Sequence, residues 1–271
     1  MSCFESFSRW AGGKTWLIPH LREIIGSIEI KHYHEPFLGG GAVFFNTTHH
    51  LKAYLSDTNK ELINAYLCVR DHPEELIKCI CNYENTLNEY YRIRNLITSD
   101  IIEAAAQFIF LNHTSYNGLY RVNRQGKYNV PYGYKKWVFN PQKIRSASIL
   151  LHNTNICSCD FEENKYRIQK KDLVFLDPPY TVSHNNNGFI KYNKNLFSLS
   201  DQYRLSNYID YLKRKGAYYI LTNAAHQTVA EIFEKGDRRI ELKRASLIGG
   251  AKAKRETVYE YIFTNIPEAK I

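Results

Sequence analysis

The sequence predicts an α/β protein built on a mostly parallel sheet, and three observations predict it. Apolar runs bounded by turn residues recur along the chain, amphipathic stretches alternate with several of them, and two of the runs end in an acid followed by a glycine or proline turn. Alternation of the first two kinds is the pattern of βαβ units. An acid at the carboxyl end of a buried strand is where an open sheet of this kind places its ligands.

Taken in order, residues 28–34, 51–55, 173–176, 217–221 and 258–263 read as strands, and residues 17–25, 60–69, 201–213 and 227–233 as helices. The rhythm breaks between about residues 72 and 150, where two helical patterns precede a stretch around residues 112–140 rich in Tyr, Asn and Gly. The expected organisation is therefore an α/β domain made of residues 1–60 and 150–271, interrupted by an inserted domain at residues 61–149. No internal repeat appears, which excludes a repeat architecture.

Charge narrows the class of partner. The net charge is +9, from 36 Lys and Arg against 27 Asp and Glu. Between Glu103 and Asp160 no acid occurs, while Arg121, Arg124, Lys127, Lys135, Lys136, Lys143 and Arg145 all do. Such a stretch repels itself unless a polyanion such as a phosphate backbone neutralises it. No run approaches the roughly 18 apolar residues of a membrane span, and the start carries no signal pattern, so a cytoplasmic protein without membrane attachment is expected. The pairs Cys79/Cys81 and Cys157/Cys159 have one residue between them rather than the spacing of a zinc site, and read as reduced thiols.

Two motifs carry chemistry. The run Glu35-Pro36-Phe37-Leu38-Gly39-Gly40-Gly41 follows a strand, and its glycines let a ligand approach the backbone. The next strand ends at Ser56-Asp57, where a carboxylate meets ribose hydroxyls in folds of this kind, so the pair suggests a nucleoside-containing cofactor. The second motif, Asp177-Pro178-Pro179-Tyr180, follows the buried-looking run at 173–176. The prolines stiffen the turn and lack N–H groups, so the Asp177 carboxylate and the Pro178 carbonyl offer two acceptors side by side. Two acceptors suit a planar amine with two N–H donors, and Tyr180 suits stacking on the ring that bears it.

Arg9-Trp10-Ala11-Gly12-Gly13-Lys14, Glu35 to Gly41, Ser56-Asp57 and Asp177 to Tyr180 stand in the order of the Dam-type DNA adenine-N6 methyltransferases, which the chain resembles over essentially its whole length. The resemblance implies the S-adenosylmethionine-dependent methyltransferase fold: a seven-stranded, mostly parallel sheet with helices on both faces, its last strand antiparallel, plus an inserted helical DNA-binding domain. It implies transfer of methyl from S-adenosylmethionine to the N6 amine of adenine in double-stranded DNA, with GATC as the leading recognition sequence. Asp177 and Pro178 would hold the amine hydrogens and Tyr180 would stack on a base flipped from the duplex. Trp10, Lys14, Glu35, Phe37, Gly39, Asp57, Asp160, Phe161 and Asp177 would line the cofactor. Arg9, Tyr116, Asn117, Leu119, Arg121, Arg124 and Lys135 would meet DNA, Arg121 reading a guanine and Tyr116 or Leu119 wedging the stack.

Gly40 stands where relatives often have Ala, and the basic tail at 238–255 matches loosely, either as a further DNA contact or as a solvated loop and edge strand. No metal is expected. The residues leave open a cytosine-N4 methyltransferase, an enzyme acting on structured RNA, and a DNA-binding protein without catalysis. A nucleotide triphosphatase is disfavoured because Ser8 replaces the first glycine of a phosphate loop. The resemblance leaves room for a cognate restriction endonuclease as partner, and a monomer is expected.

Overall fold

The computed structural model describes residues 4–10, 12–26, 28–123, 125–180, 197–245 and 257–267. Seven strands, β1 (Tyr33–Glu35), β2 (Ala53–Asp57), β3 (Thr154–Ser158), β4 (Leu173–Leu176), β5 (Tyr218–Ala224), β6 (Arg238–Ala245) and β7 (Thr257–Thr264), take the sheet order β3-β2-β1-β4-β5-β7-β6. The pairs β2/β3, β1/β4 and β4/β5 are parallel, whereas β7 runs antiparallel to β5 and to β6. The α/β class, the seven strands and the antiparallel last strand agree with the sequence reading.

Packing divides the chain into two compact units, one of Met1–Arg22 with Leu38–Asp160 and the other of Glu23–Phe37 with Phe161–Ile271. The second holds β4, whose Leu-Val-Phe-Leu sequence is buried throughout, as a strand covered on both faces must be. Val174 and Leu176 of β4 and Tyr219 and Leu221 of β5 pack with Leu205, Ile209 and Leu212 of α7 (Leu199–Lys215) and Phe233 of α8 (Gln227–Phe233). Local chemistry bounds α7 at both ends. Ser198 and Asp201 form a reciprocal capping box, and Gly216 closes the last turn at φ 71°.

At the base of the same unit, the fully buried Asp172 carboxylate bonds the ring nitrogens of His32 and His34, at 2.9 and 3.0 Å, and accepts the Gln169 N–H. Those donors hold its pKa below the ordinary carboxylate range in spite of burial. The cluster ties the start of β1 to the start of β4. It also marks a difference from the sequence reading, in which the first strand begins at residue 28: the ladder starts only at Tyr33, because the residues before it are half or fully exposed and include charged Glu29 and Lys31.

The first unit contains α1 (Ile18–Ile25) up to Arg22, together with α2 (Lys60–Asp71), α3 (Pro73–Cys81), α4 (Leu87–Arg94), α5 (Ile101–Thr114) and α6 (Pro141–Leu151). Among the described residues, four α-helices thus lie between residues 72 and 151, where the sequence reading has two. The extra ones are short segments whose ends are set by single residues. Thr86, Asp100 and Asn140 accept backbone N–H bonds at the N-termini of α4, α5 and α6, and Pro73 and Pro141 start α3 and α6. The apolar α5 is the pillar of this unit, its Phe110 and Leu111 packing with Tyr90 and Ile93 of α4 and with Tyr132.

The basic stretch is partly neutralised from within the unit. Lys143 pairs with Glu5, and Arg145 donates from Nε and Nη2 to the two oxygens of Glu74 at 2.7 and 2.8 Å. Repulsion therefore does not by itself demand a phosphate partner for these two residues, although exposed pairs of this kind add little to stability. Of the tail, residues 238–245 form the edge strand β6, in keeping with one of its two readings, and residues 246–255 lie outside the described residues.

Candidate active site

In the first unit the glycine turn is built around Asp57. This residue ends β2, and its carboxylate accepts the Gly39 N–H at 3.0 Å and the Asn59 N–H at 2.9 Å, one on each oxygen. Burial pushes the Asp57 pKa up, against the pull of those backbone donors. The Asp57 carbonyl meanwhile accepts the Cys159 N–H, which locks the end of β2 to the residue after β3. Gly39 has φ 46° and carries its carbonyl to the Tyr66 hydroxyl. A Cβ there would lie 2.7 Å from the Trp10 ring, so only glycine permits both the backbone and the contact.

Trp10 consequently covers the turn, and its other neighbours are Tyr120, stacked at 5.8 Å, and Phe108. Lys14 is buried, with its ammonium 3.2 Å from the Gly12 carbonyl. Arg9 is exposed, but its backbone is held on both sides by the Asn112 side chain, each bond 2.6 Å. Its side chain lies against Gly118, where an added Cβ would stand 3.3 Å from Arg9 Cδ. The structure thus brings Arg9 to the loop that carries Tyr116, Asn117 and Leu119.

That loop is stapled by two backbone bonds, Tyr116 N–H to the Pro131 carbonyl and Gly133 N–H to the Thr114 carbonyl. Tyr116, Asn117, Leu119, Arg121 and Lys135 are all exposed. Asn117 sits in the left-handed region at φ 56°, a conformation asparagine tolerates. Arg121 Nε donates to Asn129 Oδ1 at 2.8 Å, which steadies the guanidinium without covering it. Arg124 lies outside the described residues.

Beside these residues the first unit holds a cavity of about 890 Å³ lined by Arg9, Trp10, His113, Lys135, Trp137 and Lys143 among others. His113 Nε2 donates to the Phe7 carbonyl at 2.7 Å, and its ring stacks on Trp137 at 5.1 Å. Burial lowers its pKa from the ordinary histidine value of 6.5 to about 4. The neutral ring therefore favours the folded state fully above pH 6.5, and that contribution fades as pH falls toward 4. Urea unfolding midpoints should drop over this window by the equivalent of roughly 1–3 kcal/mol, and His113→Gln should flatten that part of the pH dependence.

In the second unit the tetrapeptide leaves β4 directly. Pro178 is buried, Pro179 exposed, and Asp177 and Tyr180 partly exposed. The Tyr180 hydroxyl donates to the buried Glu260 carboxylate at 2.8 Å, and burial with the nearby charges of Asp177 and Glu260 holds its pKa well above the phenolic range. Asp177 Oδ1 accepts the Thr222 hydroxyl at 2.6 Å. Glu35 ends β1 buried, accepting the Tyr33 hydroxyl. Phe37 packs at 5.4 Å from Phe161 and 5.7 Å from Phe197. Phe161 itself is 3% exposed, with Tyr208 and the Arg204 guanidinium also against its ring, so it is first a core residue. Asp160, just before it, is half-exposed.

Comparison with known proteins decides the family. The family model for D12 class N6 adenine-specific DNA methyltransferases matches residues 10–247. The chain belongs to that family. It is 35% identical over 272 residues to the type II methyltransferase M1.LlaDCHI of Lactococcus lactis subsp. cremoris, covering 96% of this chain and 94% of the relative. It is 34% identical to the type II methyltransferase M.MjaIII of Methanocaldococcus jannaschii, covering 96% and 99%. A DNA adenine methylase of Vibrio cholerae is 30% identical over 227 residues, 81% of each chain. This adenine-specific DNA methyltransferase takes its methyl group from S-adenosylmethionine and acts on DNA. Among the described residues no helix is long and apolar enough to cross a membrane.

Asn112, Tyr120, Asn129, Thr222 and Glu260 escaped the sequence reading. Asn112, Thr222 and Glu260 act on motifs 103, 45 and 80 residues away, where no local pattern points to them, whereas Asn129 lies eight residues from Arg121. Tyr120 alone carried a signal, as an aromatic within the stretch already singled out.

Proposed function

We propose that this methyltransferase modifies adenine within GATC in duplex DNA, drawing the target base out of the helix to do so. The observation that carries the reading is the arrangement at the end of β4. Asp177 and Pro178 offer acceptors beside a tyrosine whose hydroxyl is fixed by Glu260. Adenine's amino nitrogen is a weak nucleophile because its lone pair is delocalised into the ring. Two acceptors on its hydrogens localise that pair and offset the positive charge that grows on nitrogen. A base stacked in a duplex cannot reach such a pocket, so extrusion is required, and Tyr180 stacking recovers part of its cost of a few kcal/mol.

The residues fit the cofactor. The Asp57 carboxylate, held at the end of β2 by the N–H groups of Gly39 and Asn59, suits a ribose hydroxyl. In the first unit, Gly39, Trp10, Lys14 and Asp160 are the further residues we assign to the cofactor; in the second, Glu35, Phe37 and Phe161. S-adenosylmethionine supplies an electrophilic methyl when bound; what this chain adds is orientation of the amine and exclusion of water.

Residues 61–149 serve as the DNA-recognition part. Arg121 reads guanine, Arg9 and Lys135 meet DNA, and Tyr116 or Leu119 fills the space the base leaves. The GATC assignment rests on the likeness to DNA adenine methylases, and a restriction endonuclease partner on the likeness to type II methyltransferases. We take the working form to be a cytoplasmic monomer. Placing 2-aminopurine at the target adenine tests extrusion: its fluorescence should rise severalfold on binding a GATC duplex and not on binding a GTTC duplex with the probe at the same distance from the end. Equal, unchanged fluorescence in both would sink both the site and the flipping.

A further inference from the structure

The strand next to the tetrapeptide sends a hydroxyl into it. β4 and β5 are parallel with Leu176 opposite Leu221, so the residues that follow, Asp177 and Thr222, stand level with one another. Thr222 is fully buried, and its Oγ1 lies 2.6 Å from Asp177 Oδ1 and 3.4 Å from the Leu176 carbonyl. A threonine hydroxyl has one hydrogen. It goes to the carboxylate, the nearer acceptor and, when charged, the stronger one.

We infer that Thr222 is a positioning residue for Asp177, a role that rests on the reading of Asp177 as acceptor for the target amine. The terminal torsion of an aspartate is broad and roughly twofold. A bond at Oδ1 removes that freedom and fixes the orientation in which the carboxylate meets the amine. The β-branched side chain of Thr222 is stiff about χ1 and sits on a central strand, so the hydroxyl itself is well placed to hold the carboxylate still. Donation to the carboxylate also favours its charged form over the acid. The acid would present a donor to an amine that is itself a donor, so this second effect acts on catalysis as directly as the first.

The test compares kcat, both KM values and the pH dependence of kcat for wild type, Thr222→Val and Thr222→Ser, with Asp177→Ala alongside. Loss of one hydrogen bond to a charged group corresponds to a fall of roughly 10- to 100-fold in kcat for Thr222→Val. KM for DNA and for S-adenosylmethionine should change much less than kcat, because Thr222 acts through Asp177 rather than on either ligand. The acidic limb of kcat should move up by about half a pH unit or more, and Thr222→Ser should restore both kcat and the limb. Thr222→Ala, which lacks the hydroxyl and adds no bulk, provides the same comparison if the valine variant does not fold.

A hydroxyl-free variant with wild-type kcat and an unmoved limb would overturn the inference, as would a loss that serine fails to restore. Inactive Asp177→Ala beside a normal Thr222→Val removes only the role of Thr222. Active Asp177→Ala removes the reading of Asp177 itself.

Discussion

Asp177→Ala is expected to lose methyl transfer by at least about three orders of magnitude while still binding DNA and remaining folded. Removing one preorganised partner of a developing charge typically costs 10²- to 10³-fold, and here the same carboxylate also sets the orientation of the nucleophile. The fold should survive for a reason visible in the structure. The residue is only partly buried, and the Thr222 hydroxyl released by the substitution has the Leu176 carbonyl 3.4 Å away as an alternative acceptor. A filter-binding assay and a thermal melt run on the variant separate loss of chemistry from loss of structure. Near-normal turnover in that variant would remove the proposed role of the tetrapeptide.

Arg121→Ala is expected to flatten sequence preference. The guanidinium is exposed and steadied at Nε by Asn129, which leaves the Nη1 side free to meet the two acceptors on a guanine edge. A bidentate pair of that kind contributes about 1–3 kcal/mol of discrimination, or roughly 5- to 150-fold between the right and the wrong base. Lys135→Ala makes the useful contrast. An exposed lysine on the phosphate backbone adds to affinity for every sequence, so its loss should weaken GATC and altered duplexes alike and reduce the slope of log affinity against log salt by about one. If both variants weakened all duplexes equally, Arg121 would be a phosphate contact. Either outcome is read from one set of binding curves at several salt concentrations.

Much of the fold was legible because its signals are local. Leu173–Leu176 is apolar from end to end and became the buried strand β4. The two acids at strand ends, Asp57 and Asp177, stand at carboxyl edges as open-sheet geometry requires. The beginning of β1 was overextended because Ile28 and Ile30 alternate with charged neighbours in a strand-like way, while the chain pairs only where the Asp172 cluster anchors it. Helix α4 was hidden by its polar sequence, Leu-Asn-Glu-Tyr-Tyr-Arg-Ile-Arg, which buries only Tyr90 and Ile93.

The candidate site was legible in its motifs and silent in their supports. Glu5 and Glu74 neutralise Lys143 and Arg145 from distant positions, so counting charges along the insert overstated its need for phosphate. Asn112 fixes Arg9, Glu260 fixes Tyr180 and Thr222 fixes Asp177. Each of these supports lies dozens of residues or more from its motif and is brought to it by the tertiary fold, which a single sequence does not display.

The most direct test of the account is transfer of labelled methyl from S-adenosylmethionine into unmethylated duplexes that contain or lack GATC, followed by digestion to nucleosides. The account predicts label in N6-methyladenine, confined to duplexes with an intact GATC. Label in cytosine, or N6-methyladenine formed equally without GATC, would contradict it.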